Sequence, residues 1–434
     1  MSKEATPSTK GLGNDIILGK DLTKSKRTLA FLSIVVIYFF YCYNFMIGTF
    51  MKPTMIYDIS NGGFGFSLVD TEMIFAVMTF ATIPGTFMFG KLATRIGKKK
   101  TLIIISLLIG ITSYFPLLAP TNVILWTCSR FVTGLVLGGV FGTAMPLVAD
   151  MFPSKYRGKL AAIVTSLFSV AMIFGGYVYG ILGDENWRTL MYTCIIPPIV
   201  GAVLAYIFVP NDAEHAKKAY AEGIKSGEKI SYLSMYKGKY LWIGIGTILL
   251  SSANFTAYAA FANNSTTYLV DGLGMTAVTA GAIYSFQGIG QTFGYLFWGA
   301  LADKFGRKVP LIGMALSGIS VFAFTFLGAN DYTSFCILSV IIGFSIGFSG
   351  AWGAYYSELF PPKFRALSAG MSFNGGYIIS TFAVPAIVST ANGSAGMTPI
   401  FYFAAAVFIA GSVVWAFLPE TIIRKKNLDK QISA

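Results

Sequence analysis

The chain has 434 residues, of which 55% are hydrophobic and only 12% are charged. A soluble protein of this length needs more charge to cover its surface, so the composition excludes an ordinary soluble domain. The charged residues stand in short blocks between long apolar stretches, a pattern typical of a membrane protein with many helices. The net charge of +13 then reflects basic loops, and we expect no nucleic acid partner.

The apolar stretches predict twelve transmembrane helices. Several exceed the ~20 residues that a crossing requires, which indicates tilted or curved helices. In chain order the predicted spans are 29–56, 71–92, 101–119, 122–149, 159–182, 189–209, 240–265, 276–300, 309–328, 332–357, 366–390 and 398–418.

A polar stretch divides the spans into two groups of six. Its lysines and helix-forming start predict a cytoplasmic linker with a short surface helix. We therefore expect a cytoplasmic tail at 1–28, a six-helix bundle at 29–209, the linker at 210–239, a second bundle at 240–418 and a tail at 419–434.

The basic residues predict the orientation of the chain in the membrane. If the N-terminus is cytoplasmic, every lysine and arginine except Lys52, Arg130 and Arg188 falls in a cytoplasmic segment. By the positive-inside rule we expect a multi-pass protein of the cell membrane with both termini in the cytoplasm. Lys52 then either marks the membrane interface or adds positive potential along an entry path.

Two loop motifs occur once in each half. GKLATRIGKKK (90–100) follows span 2 and GALADKFGRKV (299–309) follows span 8. In the same way, ADMFPSKYRGK (149–159) ends span 4 and SELFPPKFRAL (357–367) ends span 10. Two motifs that repeat at nearly the same offset indicate a duplicated six-helix unit, with the halves related by a pseudo-two-fold axis.

These motifs resemble those of the major facilitator superfamily of secondary transporters, and the resemblance extends over essentially the whole chain. RFVTGLVLGG (130–139) is similar to the family's arginine-plus-glycine motif in span 4, and PETIIRKK (419–426) to the tail of sugar-porter-like members. The resemblance implies an all-α fold of two six-helix bundles that moves a small molecule by alternating access. Thr94 stands where the first loop copy usually has an acid, which implies a weaker conformational lock.

The resemblance also implies a gating role for the residues of these loops that match the family's motifs. Charges there pair at helix ends, and glycines allow close packing. The alternative for each charge is a solvated residue that only sets topology. The candidate gating residues are Gly90, Arg95, Gly97, Asp150, Arg157, Asp303, Arg307, Glu358 and Arg365.

The middle of the spans carries one arginine and no acid. Arg130 lies about 12 Å into span 4 at ~1.5 Å per residue, and a charge at that depth is costly without a partner or a cavity. In related branches a span 1 aspartate accompanies this arginine, and Asn44 occupies that place here. We interpret Arg130 as the partner of a substrate carboxylate. The alternative is that it bonds groups of its own half or reaches outward to the interface.

Further polar and aromatic residues near the middle of the spans are candidate substrate contacts. Amides can both donate and accept, which suits a hydroxyl or a carboxylate. Gln287 and Gln291 are four residues apart and therefore share a helix face. Ordinary interhelical bonding or packing is the alternative for each residue. The set comprises Tyr43, Asn44, Asn254, Gln287, Gln291, Trp352 and Asn374, together with Arg130.

We thus predict a secondary transporter of a small organic anion, a carboxylate. Because no acid lies in the middle of a span and no span contains a histidine, transport would be exchange, facilitated diffusion, or symport with a proton carried by the substrate. The alternative is a sugar or polyol porter, favoured by the tail motif, although span 7 lacks the paired glutamines of sugar porters. A receptor on the same fold would need a longer signalling segment.

No nucleophile–base pair, phosphate loop or metal-ligand cluster is present in the sequence, so we expect neither an enzyme nor a metal or other cofactor. The cysteines are predicted to be buried free thiols. The expected partners are the small-molecule substrate, the lipid bilayer and, in the case of cotransport, protons. We expect the protein to act as a monomer.

Overall fold

The computed structural model describes residue 18 and residues 22–152, 154–183, 185–214, 238–360, 371–391 and 396–421. Twelve helices correspond to the predicted spans. They are α1 (Lys24–Ile56), α2 (Leu68–Ile96), α3 (Lys98–Tyr114), α4 (Val123–Met151), α5 (Ser154–Leu182), α6 (Trp187–Phe208), α7 (Lys239–Ala262), α8 (Ala277–Phe305), α9 (Leu311–Phe324), α10 (Tyr332–Ile346), α11 (Gly376–Val388) and α12 (Thr398–Phe417).

Within the described ranges, ten helices are long and apolar enough to cross a membrane. The remaining two are α9, which is shorter, and α8, which has 29 residues and carries the two glutamines. Helix α10 continues through a 3₁₀ segment, Gly347–Ala351, into Trp352–Glu358. The fold is therefore the twelve-helix membrane architecture that the sequence predicts.

Polar side chains define where several helices begin. Ser67 and Asp70 form a reciprocal capping box at the start of α2, and Asn122 caps α4 through the amide of Leu125. Thr276 caps α8 in the same way. These caps satisfy amide groups that the helix itself leaves without partners, which is costly to omit near a membrane.

Glycines allow two helix pairs to approach backbone to backbone. In the first half, a Cβ at Gly134 or Gly138 of α4 would lie 2.0 or 2.1 Å from a carbonyl oxygen of α2. In the second half, a Cβ at Gly290 of α8 or Gly343 of α10 would lie 2.1 or 1.9 Å from a carbonyl of the partner helix. The same contact thus recurs in α2–α4 and α8–α10, as the internal repeat predicts.

Each half has its own hydrophobic core, and the halves meet along two helix pairs. One core forms mainly from α1–α6 and the other mainly from α7–α12. Between the halves, α5 packs on α8 and α2 packs on α11. At the α5–α8 crossing, a Cβ at Gly176 would be 2.6 Å from the carbonyl oxygen of Gly281. In a fold of two such bundles, a substrate site is expected in the space that these helix pairs enclose.

The cysteines are free, as predicted, but one differs in exposure. Cys42, Cys194 and Cys336 are buried, whereas Cys128 is exposed on α4, so the prediction of burial is wrong for Cys128. An apolar surface of a membrane helix faces lipid, so this thiol lies on the outside of the bundle.

The glycine contact predicts a stability difference between two positions on the same helix. We expect Gly138→Val to destabilise the protein by about 1–3 kcal/mol, because the added side chain has to displace the α2 backbone. Gly142→Val is the matched control, since a Cβ at Gly142 meets no atom within 4 Å. Thermal unfolding of both variants in detergent measures the difference. Equal loss of stability would contradict the packing argument.

Candidate substrate site

The loop charges of the second half form a connected network at the predicted cytoplasmic face. Arg307 donates to the Glu358 carboxylate at 2.9 and 3.1 Å and pairs with Asp303. The hydrogen bond to Glu358 raises the pKa of Arg307 above its usual range. Glu420 accepts from the backbone amides of Arg307 and Lys308 at 2.9 and 3.0 Å. A carboxylate thus caps the turn that leads into α9.

The first half repeats this arrangement with different residues. Lys98 pairs with Asp150, and Asp212 accepts from the amides of Lys98 and Lys99 at 2.6 and 3.0 Å. Gly97 has a φ of +96° at this turn, and a Cβ there would lie 2.8 Å from an oxygen of Asp212. The sequence had suggested Gly97 and Asp150 but not Asp212 or Glu420.

The other predicted gating residues are less connected in the structure. Arg95 is exposed in the last turn of α2, and a Cβ at Gly90 would meet no atom within 4 Å. The side chain of Arg157 and the whole of Arg365 lie outside the described residues. A gating role stays a prediction for these four residues, and equally for the five candidates that the structure does connect.

Arg130 lies inside the first half and is fully buried at 0% exposure. Its Cζ atom is 5.6 Å from the ring centroid of Trp126, and Nη2 donates to the sulfur of Met191 at 3.8 Å. The nitrogens Nε and Nη1 have no hydrogen-bond partner among the described residues. The hydroxyl of Thr133, one turn further along α4, donates to the Thr112 hydroxyl at 2.8 Å and does not bond the guanidinium. The guanidinium is therefore a buried cation held mainly by an aromatic ring and a thioether.

Asn44 and Tyr43 are also buried in the first half. The Asn44 amide donates to the carbonyl of Phe40 at 2.9 Å and accepts from the Ser113 hydroxyl at 3.0 Å. The Tyr43 hydroxyl lies 2.9 Å from that of Thr193. Both side chains tie α1 to neighbouring helices of its own bundle, and neither amide function of Asn44 is left without a partner.

Five tyrosines form a cluster between the halves, which we call the central tyrosine cluster. Electrostatic interactions link their phenols across four helices: Tyr38 interacts with Tyr295 and Tyr377, and Tyr258 interacts with Tyr284, Tyr295 and Tyr377. The members are Tyr38 of α1, Tyr258 of α7, Tyr284 and Tyr295 of α8, and Tyr377 of α11. Three of them, Tyr258, Tyr295 and Tyr377, are only half-buried despite this inner position. Partly accessible aromatic surface inside a protein is typical of a ligand site.

The predicted amides of the second half adjoin this cluster. Gln287 and Gln291 lie between Tyr284 and Tyr295 along one face of α8, at intervals of three or four residues. The Gln291 amide donates to the Tyr295 hydroxyl at 2.8 Å. Nε2 of Gln287 and Oε1 of Gln291 have no hydrogen-bond partner among the described residues. This face of α8 therefore offers a free donor and a free acceptor.

Three more predicted residues lie beside the cluster. Asn254 is one turn before Tyr258 on α7 and has an unpartnered Oδ1 within the described part of the chain. Asn374 is one turn before Tyr377 and is half-buried. Trp352 stacks on Tyr356 at 5.4 Å between ring centroids and also contacts Phe373, whose ring in turn contacts that of Tyr377. The structure thus gathers the second-half candidates at one place and keeps Arg130, Asn44 and Tyr43 apart in the first half.

The tyrosines of the cluster were missed by reading the sequence alone. Tyrosine is common at membrane interfaces, where its hydroxyl reaches water. An interfacial role does not explain a tyrosine in the middle of a span, such as Tyr38. Its position in the span is the sequence feature that could have indicated an internal polar site.

Lys52 lies neither at the membrane interface nor along an accessible entry path, the two positions expected from the sequence. It is fully buried and forms an ion pair with Glu72 at 2.6 Å. It is therefore neither an interface marker nor part of an accessible entry path in this conformation, because α1, α2 and the segment after α7 enclose it.

Comparison with known proteins agrees with this architecture. The model of the Major Facilitator Superfamily matches residues 29–311 and 252–433. The sialic acid transporter NanX of Escherichia coli is 22% identical over 365 residues, covering 83% of this chain and 87% of the relative. The cis,cis-muconate transport protein of Acinetobacter baylyi is 27% identical over 319 residues, covering 70% of this chain and 73% of the relative.

Other similar proteins are named for sugars. The glucose transporter GlcP of Staphylococcus epidermidis is 25% identical over 400 residues, covering 82% of this chain and 87% of the relative. Among solved structures, a D-xylose-proton symporter superposes with a TM-score of 0.69 at 16% identity, covering 91% of this chain and 98% of that chain. The names of these proteins do not agree on one substrate class.

The unpartnered amide of Asn254 predicts a loss of substrate affinity on truncation. We expect Asn254→Leu to raise the substrate concentration for half-maximal transport about fivefold, the effect of losing one hydrogen bond at ~1 kcal/mol. Asn330→Leu, in an exposed loop, is the matched control. Concentration-dependent uptake into proteoliposomes measures both variants. Unchanged half-saturation for Asn254→Leu would remove this residue from the site.

Proposed function

The chain belongs to the major facilitator superfamily of secondary transporters, and we propose that its substrate is a small organic anion that carries a carboxylate. The membrane-spanning helices and the matched family identify a transporter rather than an enzyme. The anionic character of the substrate, its binding residues and the sidedness described below are the proposed part.

The charge of Arg130 carries this proposal. A fully buried guanidinium is costly unless a negative charge compensates it. Among the described residues no carboxylate lies within salt-bridge distance of Arg130. Glu72, the one glutamate that is buried in the described part of the spans, is already paired with Lys52. A substrate carboxylate would supply the missing charge.

The charge can act on a substrate without direct contact. At a separation of ~10 Å and an effective dielectric constant of ~20, two unit charges attract by about 2 kcal/mol. That energy corresponds to a factor of roughly 10–30 in affinity. The positive potential of Arg130 would therefore favour an anion in the central tyrosine cluster over a neutral molecule of the same shape.

The second-half amides would bind the rest of the substrate. Gln287, Gln291 and Asn254 present one free donor and two free acceptors beside the phenols. This combination suits a molecule with both acceptor oxygens and hydroxyl groups. Two relatives are named for sialic acid and for cis,cis-muconate, and both names denote organic acids.

We further propose that the two halves rock about this site to expose it alternately to each side. Because the described spans hold no unpaired mid-span carboxylate, the cycle would be exchange, facilitated diffusion, or symport with a substrate-borne proton. The protein would act as a monomer in the cell membrane, with both termini cytoplasmic.

A sugar or polyol is the second candidate substrate. The same free amide groups suit hydroxyls equally well, and one relative is named a glucose transporter. Transport assays with purified protein in liposomes distinguish the two. Labelled muconate and sialic acid are compared with glucose and xylitol, with and without a pH gradient or internal counter-substrate. Uptake of the acids alone supports the anion proposal, and uptake of the neutral compounds alone contradicts it.

Removal of the Arg130 charge provides the direct test. We expect Arg130→Met to lower uptake of an acid at least about tenfold, because the compensating potential is lost. Arg188→Met, at an exposed arginine on α6, is the control. Arg130→Lys should keep a substantial part of the activity if charge alone matters, and little of it if a bidentate contact is needed. Full activity of a folded Arg130→Met variant would overturn the proposal.

An acid at position 44 tests the same charge in the opposite way. We expect Asn44→Asp to weaken uptake of an acid several-fold, because a new negative charge in the first half offsets that of Arg130. Asn44→Ser keeps the position neutral and controls for loss of the bond to Phe40. Competition binding with the transported acid provides the measurement. Tighter binding by Asn44→Asp would contradict the charge model.

A further inference from the structure

A buried charged network joins the two halves at the predicted outer face, next to the end of α1. We call it the Lys52 network; it consists of Lys52 and Glu72 of the first half and Asn264 of the second. The Lys52 ammonium donates to a Glu72 oxygen at 2.6 Å and to the Asn264 side-chain oxygen at 3.1 Å. All three side chains are almost completely buried, with residue exposures of 0%, 2% and 0%.

The contact between the halves continues along α1. The Thr266 hydroxyl donates to the backbone carbonyl of Thr49 at 2.6 Å, and the Thr49 hydroxyl lies 3.5 Å from the Asn263 side-chain oxygen. Asn264 itself is oriented by its own amide, which donates to the carbonyl of Ala260 at 3.0 Å. The second half thus presents a positioned acceptor to a lysine of the first half.

Both sides of this contact lie where a helix is interrupted. Helix α1 contains Pro53, one residue after Lys52. Helix α7 ends at Ala262 and is followed by a short helix, Ser265–Thr267, and a π-helical turn, Tyr268–Gly272. Prolines and π turns are places where a helix bends without losing its remaining hydrogen bonds. These ends can separate while the rest of each bundle stays packed.

We propose that the Lys52 network is the outer gate of the transporter, and that the dehydration of its ion pair sets how stable the closed gate is. Lys52 and Glu72 belong to the same half, so they remain together when the halves part. What changes is their solvent, because opening returns water to both charges and removes Asn264. Closing therefore has to dehydrate an ion pair, a penalty of several kcal/mol per ion that pairing and hydrogen bonds only partly offset.

This balance predicts opposite effects for different substitutions. Asn264→Leu removes the acceptor from the second half and should favour the open gate. Glu72→Gln leaves the lysine charge without its partner in the closed state, and it should favour opening more strongly. Replacement of both charges, Lys52→Met with Glu72→Leu, abolishes the dehydration penalty and should favour the closed gate. If the Lys52–Glu72 ion pair only stabilised the fold, all three variants would lose folding.

Accessibility of a single reporter thiol tests the proposal without reference to the substrate. Ser265, buried and adjacent to Asn264, is changed to cysteine in a chain whose four native cysteines are replaced by alanine or serine. Intact cells and inside-out vesicles are treated with a membrane-impermeant maleimide, and the labelling rate is followed. Asn61→Leu, at an exposed asparagine of the loop before α2, is the control for Asn264→Leu.

We expect labelling in intact cells to be at least about threefold faster for Asn264→Leu and faster still for Glu72→Gln. The double variant Lys52→Met/Glu72→Leu should label more slowly than the parent, and Asn61→Leu should label like the parent. Each variant is first shown to be monodisperse on size-exclusion chromatography.

Unchanged labelling of folded Asn264→Leu and Glu72→Gln would overturn the gate, as would faster labelling of the double variant. Faster labelling from inside-out vesicles alone would place the network on the cytoplasmic side and would also overturn it. None of these outcomes depends on whether the substrate is an acid. Failure of the gate is therefore distinguishable from failure of the proposed anion transport.

As a second measurement, Thr49→Cys with Asn263→Cys should lock the gate through an oxidised cross-link. Transport should fall at least about tenfold on oxidation and recover on reduction, since one half can no longer part from the other at this face. The single variants serve as controls for the loss of either side chain. Full transport by a cross-linked protein would contradict the gate.

Discussion

The cost of burying a charge in a medium without water governs the polar interior of this protein. Three cations each form an ion pair with a carboxylate that compensates their charge. The pairs are Lys52–Glu72, Lys98–Asp150 and Arg307–Glu358. Arg130 alone among these buried or half-buried cations has a sulfur atom and an aromatic ring where the others have a carboxylate. Because the other three cations each have a carboxylate partner, the lack of one at Arg130 among the described residues is unusual for this protein.

A second constraint is the close approach of helices that gain nothing from the hydrophobic effect in lipid. The glycine contacts of α2 with α4, and of α8 with α10, put backbone against backbone at equivalent places in the two halves. Such contacts leave little room for sliding, so each half is a tightly packed unit. The proposed opening of the outer gate would then act where the helices are interrupted, at Pro53 and at the π turn after α7.

Features with a local or repeated cause could be predicted from the sequence. Span positions follow from runs of apolar residues, and the duplicated loops follow from motifs that stand at equivalent positions. The depth of Lys52 could not be predicted, because it depends on Asn264, which lies far away in the sequence and in the other half. The central tyrosine cluster has the same origin, since its members come from four helices. Arg130 was recognised as unusual from its position alone, but its neighbours Trp126 and Met191 were not.

The carboxylates that follow the last helix of each half have a consequence for the extent of the structural repeat. Asp212 lies a few residues beyond α6 and caps the amides that begin α3, and Glu420 stands in the same relation to α12 and α9. A gene segment that ended with the sixth helix would encode a bundle without this clamp. The structural repeat therefore extends past the sixth helix of each half, and Asp212 at the start of the linker and Glu420 at the start of the tail are equivalent positions.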